Sequence, residues 1–409
     1  MDLNNLKQHY QELIDYMFEN DYSKLHIDNL SKAIQLILHF EDIKNVNSYP
    51  SLIQKIESNM SLSKHELYLF KCSVGIIERF DLLQEYPSGK WKSFSKSSAY
   101  SKLNDFFKKI IDYKKNSDLE RNLSEGTIHR NITAGSNFLL YLQNKGINKL
   151  EDINEEDVAS FFISKDGKAT KHSTYREAMQ SLFRNYMNFE YKESKRILNF
   201  IPTISRSDKN IEYLKENEID SIKETINSNK MTLRDVAIIN LFLYYGLRRS
   251  DIANLSFSSI DWESKRISII QKKTKQPLSL PLFPIVGNSI YDYVTKERHN
   301  KTKTDRIFLK SYAPYNPLSA NAISGVVKKC LKLSDIRQGK NQQRGTHTFR
   351  HRVATRLLEN NVPKVIVTSV LGHTSPRSSE TYLHSDFIHL KECAISIEDY
   401  PVDKKVFEL

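Results

Sequence analysis

Cysteine is scarce: Cys72, Cys330 and Cys393 are the only three in 409 residues, widely spaced and without a C-x-x-C pair. That excludes a disulfide framework and a cysteine-built zinc site, and it fits a reducing, cytoplasmic setting. Glycine (12) and proline (11) are sparse too, which with the long Lys/Glu/Leu/Ile stretches points to a mainly helical protein. No long uncharged apolar run occurs, so no membrane association is expected. The opening residues, MDLNNLKQHY, lack the basic-then-apolar layout of a secretory signal. Positive charge, by contrast, is plentiful: 61 Lys and Arg against 49 Asp and Glu give a net charge of +12. A polyanion is the expected partner, nucleic acid before membrane. The length allows two or three domains with sizeable cores.

The first 85 residues read as helices, with apolar spacing in LKQHYQELIDYMF, LSKAIQLILHF and HELYLFKCSVGIIERFDLL. The serine-rich, basic stretch at 86–102 reads as a linker, and a helix is expected through Phe106, Phe107, Ile110 and Ile111. Ser124 is placed to cap a helix ended by Gly146, Asn154 with Asp157 to open another, and Ser173 or Thr174 a third. Lys165, Lys168, Lys171, His172 and Arg176 cluster near that third start, suiting either phosphate contact or a solvated surface. The stretch 200–213 reads as a second linker. A helix is then expected after Asn217, and another from Thr232 to a left-handed stop at Gly246. Ser250 reads as the N-cap of a short helix carrying Asp251. RISIIQKKTKQPLSLPL reads as a β-hairpin, with Ile267 and Ile269 alternating, then Leu278 and Leu280.

The densest chemistry lies between Arg344 and Tyr382. His347 and Arg350 are three residues apart and share a face if a helix starts there. Phe349, Val353, Ala354, Leu357 and Leu358 form its buried stripe, and Asn360 and Asn361 stop it. Pro363 suits the first turn of a second helix, which carries Ile366, Val367, Val370 and Leu371 inward and ends at Gly372. His373 follows, and Tyr382 comes nine residues later. These types suit attack on a phosphodiester, because a tyrosine hydroxyl is a weak nucleophile that needs a cationic pocket. Arginine can bind phosphate oxygens and histidine can move a proton. His347 with His351 also makes H-x-x-x-H, but Thr348 stands where a metalloprotease motif needs glutamate, so no metal is expected.

HTFRH and LGHTSPRSSETYLH, with GLRRSDIANL upstream, resemble the tyrosine recombinase (phage integrase) family across residues 120 to 390. The resemblance implies a mainly α fold with a small β-hairpin or sheet in the catalytic domain. A helical core-binding domain would precede a mixed α/β catalytic domain. The expected division is a helical N-terminal region of unassigned role at 1–115, core-binding domain at 119–200, catalytic domain at 208–395 and tail at 396–409. The implied catalytic set is Arg248, Lys273, His347, Arg350, His373 and Tyr382. Arg248, oriented by Asp251, and Arg350 would hold the phosphate; Lys273, with Lys272 and Lys275 as rivals, would protonate the leaving oxygen. His347 would assist proton transfer, His373 would bond the phosphate and Tyr382 would attack it. Arg249 is expected to be an ordinary surface residue.

The implied activity is site-specific recombination of double-stranded DNA for a mobile element, through a 3′-phosphotyrosyl bond and without a cofactor. A homotetramer would assemble at synapsis, with room for an accessory directionality factor. Relaxation by a type IB topoisomerase, or a catalytically silent DNA-binding regulator, are the alternatives.

Overall fold

The computed structural model describes residues 3–40, 46–89, 98–164, 166–203, 212–300, 302–339 and 342–372. His373, Tyr382, Lys165, most of the 200–213 linker and the whole tail lie outside them. The described part is mainly helical with one small antiparallel sheet, as the sequence implies. Among the described residues, no helix is long and apolar enough to cross a membrane.

Helices α1 (Asn4–Glu19), α2 (Lys24–Leu38), α3 (Tyr49–Asn59) and α4 (Lys64–Leu83) open the chain. Then come α5 (Asp105–Glu120), α6 (Glu125–Asn144), α7 (Glu155–Phe162), α8 (Ser173–Tyr186) and α9 (Tyr191–Phe200). The described residues pack as two units: one within 39–79 and 92–209, the other within 3–38, 80–91 and 210–409.

In the first unit, α5 to α9 share one core running from Leu103 to Ile201. Local chemistry fixes the helix starts. Ser124 Oγ accepts from the Thr127 amide at 3.3 Å, and Asn154 and Asp157 form a reciprocal capping box. Helix α8 begins at Ser173, as expected, but His172 is its cap, with Nδ1 accepting from the Thr174 amide. Phe138 meets Phe161 edge-on at 5.1 Å between ring centroids, the arrangement that aromatic quadrupoles favour. The core also holds an ion pair: Lys114 Nζ donates to Asp118 Oδ1 at 2.5 Å, and Asn131 donates to Asp118 Oδ2 at 2.9 Å. Both charges are fully buried, so removing one partner would strand the other at a cost of about 3–5 kcal/mol.

The second unit is discontinuous in sequence. Tyr22 Oη donates to the Pro87 carbonyl at 2.8 Å. Asp21 lies 3.4 Å from His299 Nε2, and Asn316 Nδ2 donates to the Ser88 carbonyl at 2.8 Å. The later part holds α10 (Glu216–Asn227), α11 (Leu233–Tyr245) and α12 (Arg249–Ala253). Strands β1 (Ile260–Asp261), β2 (Arg266–Ile270) and β3 (Pro277–Pro281) follow, paired antiparallel in the order β1-β2-β3. Ile267 pairs with Leu280 and Ile269 with Leu278, which places the alternating apolar residues of the hairpin on one face. The described chain closes with α13 (Pro284–Lys296), α14 (Ala320–Leu333), α15 (His347–Glu359) and α16 (Lys364–Leu371).

Phe242 of α11 and Phe349 of α15 lie 5.7 Å apart in the core, locking the helix before Arg248 to the helix that carries Arg350. Replacing such a buried phenylalanine by alanine costs about 3–5 kcal/mol. Some local readings need correction. Helix α10 begins at Glu216, ahead of Asn217. Pro363 caps α16 from outside instead of sitting in its first turn. Ile366 is half exposed, because the inward stripe of α16 runs through Val367 and Leu371, one turn apart, and turns Ile366 outward.

Candidate active site

Gly246 closes α11 in the left-handed conformation, with φ +57°, and turns the chain directly into α12. Arg248 therefore occupies the N-cap position of α12 itself. Its carbonyl accepts from the Asp251 and Ile252 amides at 2.9 and 3.1 Å. Ser250, expected to be that cap, instead lies inside the first turn, with Oγ 3.3 Å from Asp251 Oδ1. The restart leaves no room for a separate cap after Arg248. Arg248's guanidinium donates from Nη1 to Gln271 Oε1 at 2.5 Å and from Nη2 to the Gly372 carbonyl at 3.0 Å. Asp251, almost wholly buried, lies 4.0 Å from Arg248 Nη1 and accepts from the Lys272 amide at 3.0 Å. That bond pins the start of the hairpin loop to the helix bearing Arg248.

Arg350 is 4 % exposed, unusual for a side chain that is charged at any physiological pH. Its Nη1 donates to the Gly246 carbonyl at 3.0 Å and its Nη2 to the Leu371 carbonyl. Arg248 and Arg350, about a hundred residues apart in sequence, thus meet the same two-residue stretch, Leu371 and Gly372. Helix α16 ends there, with Gly372 at φ +63°. A Cβ on Gly372 would fall 2.1 Å from Gln271 Nε2, so only glycine fits between the turn and that carboxamide.

His347 opens α15 with one face towards solvent. Burial of the rest of the ring, then the charges of Arg350, Arg249, Lys273 and Arg248, hold its pKa below the usual value. The imidazole is therefore neutral at pH 7 and able to take a proton. Lys273, exposed in the loop between β2 and β3, is close enough for its charge to reach this ring. Its neighbours Lys272 and Lys275 do not figure among the charges acting on His347. His351 lies one turn on, its ring stacked 6.1 Å from that of His347. Its pKa is pushed down to about 4, by burial first and then by His347 and Arg350. Among the described residues, no group of His, Cys, Asp and Glu has a metal-binding arrangement.

Four of the six expected residues, Arg248, Lys273, His347 and Arg350, are thus brought together. His373 and Tyr382 lie outside the described residues. Arg249, expected to be an ordinary surface residue, bonds α14 through Asn321 at 3.2 Å and Ser324 at 3.0 Å. Sequence reasoning missed Gln271, a fully buried polar side chain at the centre of the cluster. The one available signal was a glutamine at the strand end directly before the lysine turn. A second omission is Arg337, which binds Glu212, Glu218 and the carbonyls of Tyr213 and Gln343. That network fastens the start of the 212–300 segment to the strand of chain leading into His347.

The arrangement pairs two planar guanidinium groups with an exposed ammonium and a neutral imidazole, which suits binding a phosphodiester and moving protons around it. Comparison with known proteins points the same way. Residues 212–389 match the family described as "Phage integrase family". The chain is 35 % identical over 166 residues to "Putative integrase/recombinase y4gC" of Sinorhizobium fredii, covering 40 % of this chain and 83 % of that protein. It is 26 % identical to tyrosine recombinase XerC of Histophilus somni, over 67 % of this chain and 91 % of that one. Among solved structures, XerH recombinase in a post-cleavage complex with palindromic difH substrate aligns with a TM-score of 0.54 at 20 % identity. That alignment covers 84 % of this chain and 93 % of XerH. The Tn1549 transposon integrase in complex with transposon right end DNA aligns with a TM-score of 0.52 at 14 % identity, over 70 % of this chain and 99 % of that one. At such identities the structural likeness establishes the fold.

Proposed function

Because the chain belongs to the phage integrase family of tyrosine recombinases, we propose that it cleaves and rejoins double-stranded DNA at specific sites through a 3′-phosphotyrosyl bond, on behalf of a mobile element. Arg248 and Arg350 hold the non-bridging oxygens of the scissile phosphate, and their charge offsets what accumulates in the transition state. Tyr382 attacks phosphorus, its proton passing towards the neutral His347. Lys273 protonates the departing 5′ oxygen, and His373 donates a hydrogen bond to the phosphate. Bond energy is conserved in the adduct, so the step calls for neither ATP nor metal. A 5′ hydroxyl from a second duplex then reverses the attack. Recombination takes place in a homotetramer, with an accessory factor setting direction.

One observation carries this reading. Arg248 and Arg350 converge on Leu371 and Gly372, the residues directly before His373, while Lys273 and His347 share the same field. The reading also supports a division of labour, with the bundle of α5 to α9 gripping DNA and the 212–389 segment performing the chemistry. The experiment is covalent trapping on nicked duplexes drawn from DNA flanking the gene, followed by denaturing electrophoresis and peptide mapping. The adduct is expected on Tyr382. Tyr382→Phe, which removes one oxygen and keeps the ring, should bind DNA normally and form no adduct. DNA attached to another tyrosine, or cleavage by Tyr382→Phe, refutes the assignment. Relaxation of a supercoiled circle without exchange between two duplexes would move the chain to topoisomerase-like action.

A further inference from the structure

We propose that Gln271 is a positioning residue for strand cleavage: a buried, neutral acceptor that aims Arg248 at the phosphate without cancelling its charge. The inference rests on Arg248 being a phosphate clamp. Gln271 is 0 % exposed and sits where β2 gives way to the lysine loop. Its Oε1 accepts from Arg248 Nη1 at 2.5 Å and from Thr274 Oγ1 at 2.7 Å. Its Nε2 donates to the Leu371 carbonyl at 3.3 Å. Its own amide and carbonyl close the loop, to the Gln276 carbonyl and from the Lys275 amide, each at 2.9 Å. One carboxamide therefore joins Arg248, the loop carrying Lys273 and the turn before His373.

The neutrality of this group is the point. Each terminal nitrogen of a guanidinium carries two N–H groups, so bonds to Gln271 and Gly372 steady Arg248 and still leave donors for a phosphate oxygen. A carboxylate in the same place would form a buried ion pair and compete with the phosphate for that charge. The nearby acid, Asp251, stands off at 4.0 Å and has its other oxygen engaged by the Lys272 amide.

The test uses the full-length protein in single-turnover cleavage of a nicked duplex, with binding affinity and melting temperature measured alongside. Gln271→Met keeps the length and removes all three side-chain bonds; Gln271→Glu keeps the shape, adds charge and gives up the donor to Leu371. Gln271→Met should cleave roughly tenfold to a hundredfold more slowly at near-normal affinity, since misplacing a catalytic group by about an ångström costs that much. Gln271→Glu should be slower still on a normal phosphate. Its excess defect should shrink on a substrate carrying a methylphosphonate at the scissile position, which needs less positive charge. A structural role alone would not produce that dependence on substrate, so the comparison decides even if Gln271→Met unfolds. Cleavage by Gln271→Met within about twofold of wild type, or a Gln271→Glu defect equal on both substrates, overturns the inference. Wild-type protein that forms no adduct overturns the recombinase reading and this inference with it; wild-type cleavage with an indifferent Gln271 overturns the inference alone.

Discussion

Replacing Gly246 by alanine should damage stability and cleavage together. Gly246 ends α11 at φ +57° and ψ +31°, a region where an L residue costs about 1–2 kcal/mol. The new Cβ would stand 3.1 Å from Arg350 Cα and 3.2 Å from Val353 Cβ. Both atoms are rooted in α15 and have no rotamer through which to escape, so the helix must retreat by a few tenths of an ångström. The retreat also stretches the bond from Arg350 to the Gly246 carbonyl, now 3.0 Å. Together these amount to about 2 kcal/mol, or about 4–8 °C of melting temperature for a unit of this size. Displacing Arg350 by a fraction of an ångström should slow adduct formation by roughly threefold to tenfold. Gly325→Ala is the control: its Cβ would meet nothing within 4 Å inside α14, so it should stabilise by about 0.5–1 kcal/mol. Calorimetry and single-turnover trapping read both effects. A Gly246→Ala protein that melts and cleaves like wild type would show that α15 does not bear on that turn.

Lys273→Ala should slow cleavage of a normal strand and recover much of the rate when the 5′ bridging oxygen is sulfur, which leaves without protonation; rescue of Lys272→Ala instead would shift the role by one residue. Affinity for DNA should fall steeply with salt as counterions are released, and a near-flat dependence would contradict phosphate binding by several cations. With its folded pKa near 4, below the ordinary value of 6.5, His351 makes the folded state bind fewer protons than the unfolded one. Stability is therefore fully present above about pH 6.5 and drains away as pH falls towards about 4. His351→Gln should flatten that loss in urea melts at pH 7.5 and pH 5, and equal losses in both proteins would refute the linkage.

Features whose cause is local were legible in the sequence. Asn154 with Asp157 announces a helix start because the bonds that make it span three residues. Gly246 and Gly372 announce stops because the left-handed cap selects glycine. Arg248, Lys273, His347 and Arg350 were singled out through the family resemblance of their motifs, and the structure brings the four together, although none of them stands out by residue type. What escaped depends on distant partners. Gln271 owes its importance to Arg248, 23 residues away, and to Leu371, 100 residues away, and neither relation leaves a periodic trace. Arg337 looks like a surface cation in sequence and becomes buried only because Glu212 and Glu218 are folded back upon it. The outward turn of Ile366 escaped because the five apolar residues of α16 fit more than one helical phase.

The discontinuous second unit has a consequence for synthesis on the ribosome. Residues 3–38 leave the exit tunnel about 170 residues before the segment at 210–409 with which they cluster. At roughly 5–20 residues per second, Asp21 waits on the order of tens of seconds for His299. Helix α1 has partners much sooner: Asn5 Nδ2 donates to the Phe80 carbonyl at 2.7 Å and the Leu6 amide to Asp81 Oδ1 at 3.0 Å. The helical bundle between Asp21 and His299 can close meanwhile, so the order of synthesis is not the order of completion. A shortened protein beginning near residue 100 would skip the wait, but it would present the 210–409 segment without Asp21 beside His299 or the Ser88 carbonyl beside Asn316.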